Sequence, residues 1–144
     1  MRAHWVHVER DLAAPPEAVF DHLAEHENLA ALFGAKVKRL NDGDDGTRNG
    51  VGSRRELKVA PGAPPFEETT TQYDRPSLIE YKITKGSPLS DHVGIMKFSP
   101  APSGGTYFEY RIRLASRIPG LAPLVKANLT RQIGKGLKGV PGGS

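Results

Sequence analysis

The stretch Leu121-Ala122-Pro123-Leu124-Val125-Lys126-Ala127-Asn128-Leu129-Thr130-Arg131-Gln132-Ile133-Gly134-Lys135-Gly136-Leu137 decides how this chain is read. Its apolar residues fall at Leu121, Leu124, Val125, Leu129, Ile133 and Leu137, the spacing of a helix that buries one face. Asn128 and Gln132 sit on that same face, where a helix meant only for packing would carry Leu or Ala. Lys126, Thr130, Arg131, Lys135 and Lys138 occupy the other face. Pro123 is tolerable in the first turn. Gly134, Gly136 and Gly139 are expected to fray the end, each interior glycine costing about 1 kcal/mol relative to Ala. The first three to four turns should therefore grip firmly, and the end at about 139–144 should be flexible and give a ligand a way in. Apolar residues and amides on one inner side predict the lid of a core that is not entirely filled.

Upstream, the pattern is mostly of period two. His4–Leu12 alternates, with Val6, Val8 and Leu12 on one face and Arg10 the odd residue among them, as in a half-buried strand. Ala13-Ala14-Pro15-Pro16 stops it. Glu17 to about Glu27 reads as a short helix with Val19, Phe20, Leu23 and Ala24 inward, and Asn28 is placed to cap a second helix, Leu29–Phe33, ended by Gly34. Strands follow at Lys36–Leu40, Val51–Val59, Phe66–Tyr73, Leu78–Thr84, His92–Phe98 and Thr106–Leu114, separated by turn formers. Arg55, Leu57 and Val59 share one face of their strand. The loop 41–50 is rich in Asp but lacks the glycine and glutamate positions of an EF-hand, and so reads as a hairpin loop. One strand, two short helices, about six meandering strands and a long helix make an α+β domain with an antiparallel sheet of about seven strands. The terminal helix is the one element long enough to cover its concave face. The whole of 1–144 forms a single domain.

The chain has no cysteine, which removes disulfides, thiolate metal sites and a Cys nucleophile. It also lacks an apolar run of about 18 residues and an apolar leader, so a cytoplasmic location is expected, with no transmembrane segment. The net charge of +4 is uneven: from Arg111 onward there are seven Lys or Arg and no acid, against thirteen basic and sixteen acidic residues before it. Without interleaved aromatic residues this basic end predicts a solvated face and no nucleic-acid partner. Weak contact of Lys126, Arg131 and Lys135 with an anionic surface is the alternative use.

Several local signatures resemble the START/Bet v 1-like superfamily with the helix-grip fold, in its polyketide cyclase/dehydrase-like branch. They are Leu12-Ala13-Ala14-Pro15-Pro16-Glu17-Ala18-Val19-Phe20, Val51-Gly52-Ser53-Arg54-Arg55, Glu67-Glu68, Tyr73-Asp74-Arg75-Pro76-Ser77-Leu78-Ile79-Glu80-Tyr81, and Gly104-Gly105-Thr106 followed by Tyr110. The resemblance implies a deep cavity between a curved sheet and the C-terminal helix. It also implies a small hydrophobic ligand, no cofactor, and in some members aromatisation or dehydration. By position, the lining would be Arg55, Leu57, Glu68, Thr70, Tyr81, Ile83, Phe108, Tyr110 and Ile112 from the sheet, and Val125, Asn128, Leu129 and Gln132 from the helix.

Arg55 and Glu68, if both face inward, must pair, because an isolated buried charge is expensive. They would anchor a polar ligand group or act as an acid/base pair. Tyr81 and Tyr110 would present rings with orienting hydroxyls. His92 is a further candidate base. His22-Leu23-Ala24-Glu25-His26 matches H-x-x-E-H, yet no acidic helix supplies a third ligand and no metal site is expected. Three functions follow: binding of a hydrophobic or amphipathic molecule; a polyketide cyclase or dehydratase using Arg55, Glu68 or His92; and a lipid-surface or protein-binding module using the basic face. A monomer or a homodimer fits each of them.

Overall fold

The computed structural model describes residues 2–144. Alternation in β1 (His4–Leu12) turns Val6 and Leu12 into the interior and His7 and Glu9 to solvent. Two short helices follow, α1 (Pro16–Ala24) and α2 (His26–Ala31). The remaining strands are β2 (Lys36–Asn41), β3 (Arg54–Lys58), β4 (Phe66–Asp74), β5 (Leu78–Lys85), β6 (Ser90–Pro100) and β7 (Thr106–Ala115). The chain then enters α3 (Leu121–Gly136) and a 3₁₀ turn, Leu137–Gly139. All seven strands form one antiparallel sheet in the order β1-β7-β6-β5-β4-β3-β2. The six-strand meander is closed by β1, which lies beside β7 from His4↔Leu114 to Leu12↔Thr106. This is the helix-grip arrangement that the resemblance implies. No helix among the described residues is long and apolar enough to cross a membrane.

Several boundaries differ from the expected ones; β3 begins at Arg54, not Val51, and β6 extends beyond His92–Phe98 at both ends. The first helix stops at Ala24, because Glu25 adopts extended backbone (φ −67°, ψ 126°). Its carboxylate accepts hydrogen bonds from Arg48 Nε (2.8 Å) and Asn49 Nδ2 (2.8 Å) on the β2–β3 loop. Asn28 therefore lies inside α2 instead of capping it, and its amide donates to the His22 carbonyl at 2.9 Å. Val59 falls beyond the end of β3 and is exposed.

The concave face is divided in two. One half is packed solid: Phe20 of α1 makes edge-on contacts with Phe98 of β6 and with Tyr73, both at 5.2 Å between ring centroids. Phe108, Tyr110, Met96 and Leu23 fill the space around them. Across the other half α3 lies over the sheet without filling it. Grip along α3 departs from expectation: Ala122 holds the first turn in the core, but the middle turns are loose and the C-terminal end is docked. Leu124, read as inward, is 68% exposed, and Val125 and Leu129 are only half-buried. Ile133, Leu137 and Val140, near the supposedly loose end, are buried in the core. Gly136 lets the helix approach Leu32 closely, since a Cβ there would lie 2.8 Å from the Leu32 Cα. The last residues also dock, with the Gly142 carbonyl accepting from the Ala13 N–H at 2.9 Å. Burial of Ile133 and Leu137, about 1.5–3 kcal/mol each, outweighs the glycine penalty.

Gly94 of β6 has a related role. Tyr81 of β5 stands opposite it, and its ring lies across the space a side chain would occupy. Gly94→Ala is expected to lower stability by about 1–3 kcal/mol, the usual cost of forcing a methyl group into a filled core. Urea unfolding would measure this, with loss of the tyrosine near-ultraviolet dichroism marking displacement of Tyr81.

Candidate functional site

Beneath α3 lies a cavity of about 560 Å³. Its sheet wall comes from Leu57, Glu68, Tyr81, Ile83, His92 and Ile112, and its helix wall from Leu121, Val125, Asn128, Leu129 and Gln132. Strand alternation explains the sheet wall: Glu68, Ile83 and Leu57 are inward positions of β4, β5 and β3, and Ile112 follows Tyr110 on the inner face of β7. Nine of the thirteen expected lining residues therefore face the cavity, namely Leu57, Glu68, Tyr81, Ile83, Ile112, Val125, Asn128, Leu129 and Gln132. The other four do not. Phe108 and Tyr110 belong to the packed half of the core. Arg55 and Thr70 lie behind the wall, both buried.

Arg55 and Glu68 are directly opposite each other on β3 and β4. The Arg55 Nε–H donates to Glu68 Oε1 at 3.0 Å; Nη2 lies 3.0 Å from the same oxygen but is not aligned for a hydrogen bond. The guanidinium also sits 4.9 Å above the Tyr81 ring, a cation–π contact. Among the described residues Glu68 Oε2 has no hydrogen-bond partner, and it remains accessible from the cavity. Burial pushes the Glu68 carboxyl above its ordinary value, and Arg55 pulls against that rise.

A buried polar chain runs back from this pair. Arg55 Nη1 approaches Thr70 Oγ1 at 3.5 Å, and Ser53 Oγ donates to the same oxygen at 3.2 Å. His26 of α2 stands 3.3 Å from Ser53 Oγ. With the serine proton directed to Thr70, His26 Nε2 is the donor and Nδ1 is left bare and buried. Desolvation, helped by Arg55 and Arg39, pushes His26 down to about 3, so the ring is neutral. The break at Glu25 puts His22 and His26 on different helices, and they do not form the ligand pair of the H-x-x-E-H pattern. One trio among the described residues has ligand atoms within metal-binding reach: His7, Glu9 and Glu109. It lies on the solvent face of the sheet, where Arg111 also bonds Glu109.

His92 lines the cavity, but its Nδ1 accepts the Ile83 N–H at 3.0 Å. The neutral ring, held down to about 4 chiefly by burial, therefore points an Nε2–H donor, not a base. The Tyr81 hydroxyl is likewise committed, to the Tyr110 hydroxyl, so the cavity meets its ring. Lys126, Arg131 and Lys135 are exposed on the outside of α3, and Arg131 donates to Asn128 Oδ1 at 2.9 Å.

Sequence reasoning missed the mouth. Ala60, Ala63 and Pro64 of the β3–β4 loop and Pro88 and Leu89 of the β5–β6 loop border the cavity, with Phe33 and Phe66 behind them. The available signal was composition: Val59-Ala60-Pro61-Gly62-Ala63-Pro64-Pro65 has no polar side chain, unusual for a loop facing water alone.

A family model described as polyketide cyclase/dehydrase and lipid transport matches residues 3–140. No curated protein is similar to the chain in sequence. Among solved structures, a Thermus thermophilus protein superposes with a TM-score of 0.73 at 21% identity, covering 94% of this chain and 93% of its own. An aromatase/cyclase from Streptomyces gives 0.70 at 18% identity, with 95% of each chain covered. Norcoclaurine synthase from Thalictrum flavum gives 0.70 at 14%, covering 94% of this chain and 91% of its own. At these identities the likeness shows the fold.

The polar chain generates two expectations. Arg55→Met strands Glu68 and should cost about 3–5 kcal/mol, whereas adding Glu68→Leu should restore most of the loss; denaturant midpoints of the two variants decide this. His26 binds its proton more weakly in the folded than in the unfolded chain. The stability it contributes is thus complete above about pH 6.5 and drains as the pH falls toward about 3. Between about pH 7.5 and about pH 4.5, His26→Gln should lose less unfolding free energy than the parent.

Proposed function

The chain belongs to the polyketide cyclase/dehydrase and lipid transport family, and from that premise we propose that it binds a small hydrophobic or amphipathic molecule between the sheet and α3. The observation that carries this reading is the unfilled half of the concave face, about 560 Å³ of space with mostly apolar walls. Space of this size suits one drug-sized molecule. Protein interiors otherwise close such gaps, because each buried void forfeits packing energy. Entry would be between the loosely packed middle turns of α3 and the proline-rich loop 60–65, not at the docked C-terminal end of the helix.

A cyclase or dehydratase reaction is the second reading, and Glu68 is the observation that favours it. Its carboxylate reaches the cavity and its proton affinity is raised by burial, as suits a group that takes a proton next to a substrate carbonyl. Arg55 would act through Glu68 and not on the substrate, since it lies behind that residue.

Native mass spectrometry of freshly purified protein should show one bound small molecule, identifiable after extraction. The neutral dye N-phenyl-1-naphthylamine should bind at one per chain with enhanced fluorescence. Val125→Trp fills the cavity from a half-buried helix position and should weaken the dye at least about tenfold with little change in melting temperature. Equal affinity in this variant would place the dye elsewhere and sink the cavity reading.

A further inference from the structure

Building on the binding reading above, we propose that the cavity selects uncharged ligands that carry a hydroxyl group, which donates its proton to Glu68 Oε2. Among the described residues Glu68 is the only acidic or basic one of the cavity wall apart from the imidazole of His92. No Lys or Arg faces the space, so a carboxylate or phosphate entering it would leave water with no countercharge and meet the Glu68 carboxylate. The nearest cation, Arg55, does not offset this. It lies behind the wall with its contacts on Oε1, Thr70 and the face of Tyr81.

A cationic ligand fits no better. The Glu68 charge is already met by a guanidinium 3.0 Å away, and an ammonium would be desolvated within reach of that same positive group. What remains unmet is a single acceptor, Oε2. It lacks a partner among the described residues while its sister oxygen carries the whole ion pair. A hydroxyl supplies the missing donor without bringing a charge.

The same wall also carries a neutral hydrogen-bond donor. Glu68 stands opposite Ile83 in the β4–β5 ladder, and His92 of β6 is bonded to the Ile83 N–H from the other side. Acceptor and donor therefore flank one residue: Oε2 on β4, and the Nε2–H of His92 on β6. Tyr81 next to them presents its ring, because its hydroxyl is held by Tyr110. A phenol or alcohol attached to an apolar body matches this floor, with Gln132 on the α3 side and Asn128 at the rim, its Oδ1 held by Arg131.

Four ligands with one ring system test the assignment by competition with N-phenyl-1-naphthylamine at neutral pH: 2-naphthol, 2-methoxynaphthalene, 2-naphthoate and 2-naphthylmethylammonium. Naphthol should bind at least about tenfold more tightly than each of the others, the value of a hydrogen bond to a charged group. Glu68→Gln should relieve the rejection of naphthoate and shrink the preference for naphthol over its methyl ether to less than about threefold. The Arg55→Met/Glu68→Leu double variant, which leaves no unpaired charge, should bind all the neutral ligands alike and guards against misfolding of the single variant. If naphthoate or the ammonium matches naphthol while the dye still binds, the hydroxyl selectivity is wrong and the cavity reading stands. If the dye and all four ligands fail to bind, both fall.

Discussion

Two opposite charges lie buried side by side on β3 and β4, and the inner surface of the protein is arranged around them. Removing an ion from water costs several kcal/mol even after relaxation, so Arg55 and Glu68 are tolerable only as neighbours. Slipping β3 by one residue against β4 would turn Arg55 outward, carry Leu57 with it and leave Glu68 buried without its counterion. The pair thus specifies register as well as polarity. Through Thr70 and Ser53 it reaches His26, which ties the position of α2 to the floor of the cavity. A sheet otherwise lined by Leu, Ile, Tyr and Phe has one polar line crossing it, and that line ends at the open space.

The empty half of the concave face follows from where the large aromatic residues fall. Phe20, Phe98, Phe108 and Tyr73 gather under α1 and leave no such cluster over the outer part of β3–β5. The long helix is fixed at the crowded end by Ile133 and Leu137 and at its start by Ala122, and stands away between them at Leu124 and Asn128. Such a helix is a bridge: Ala122 in its first turn and its C-terminal turns set its position, and the turns between them form a roof with little beneath. Leu124, largely exposed next to Val125 and Asn128, marks how little of that roof is held by packing.

Much of this was legible in the residues. Period-two alternation gave all seven strands to within a few residues, and the apolar spacing of the last segment gave α3. The inward placement of Glu68, Tyr81, Ile83 and Ile112 follows from the same alternation. What escaped depends on contacts distant in sequence. Gly136 read as a helix breaker, and only Leu32 across the interface makes its small size an advantage. Glu25 read as helical until Arg48 and Asn49 drew its carboxylate outward. Arg55 and Tyr110 share the inward side of their strands with true wall residues. Depth beneath Glu68 and beneath Phe33, not facing direction, removes them from the cavity. Alternation reports which side of a sheet a residue takes and is silent on how thick the layer above it will be.

The closing of the sheet by β1 and β7 has a consequence for how the protein is made. Synthesis delivers β1 first, yet its sole sheet partner comes about a hundred residues later. Until β7 is released from the ribosome, the nascent chain holds a strand whose backbone donors and acceptors are unclaimed, next to the aromatic face of α1. The meander from β2 to β6 can form meanwhile from neighbours in sequence, but the core under Phe20 cannot be sealed. The interval before β7 emerges is therefore the one in which residues 4–20 are most open to aberrant pairing.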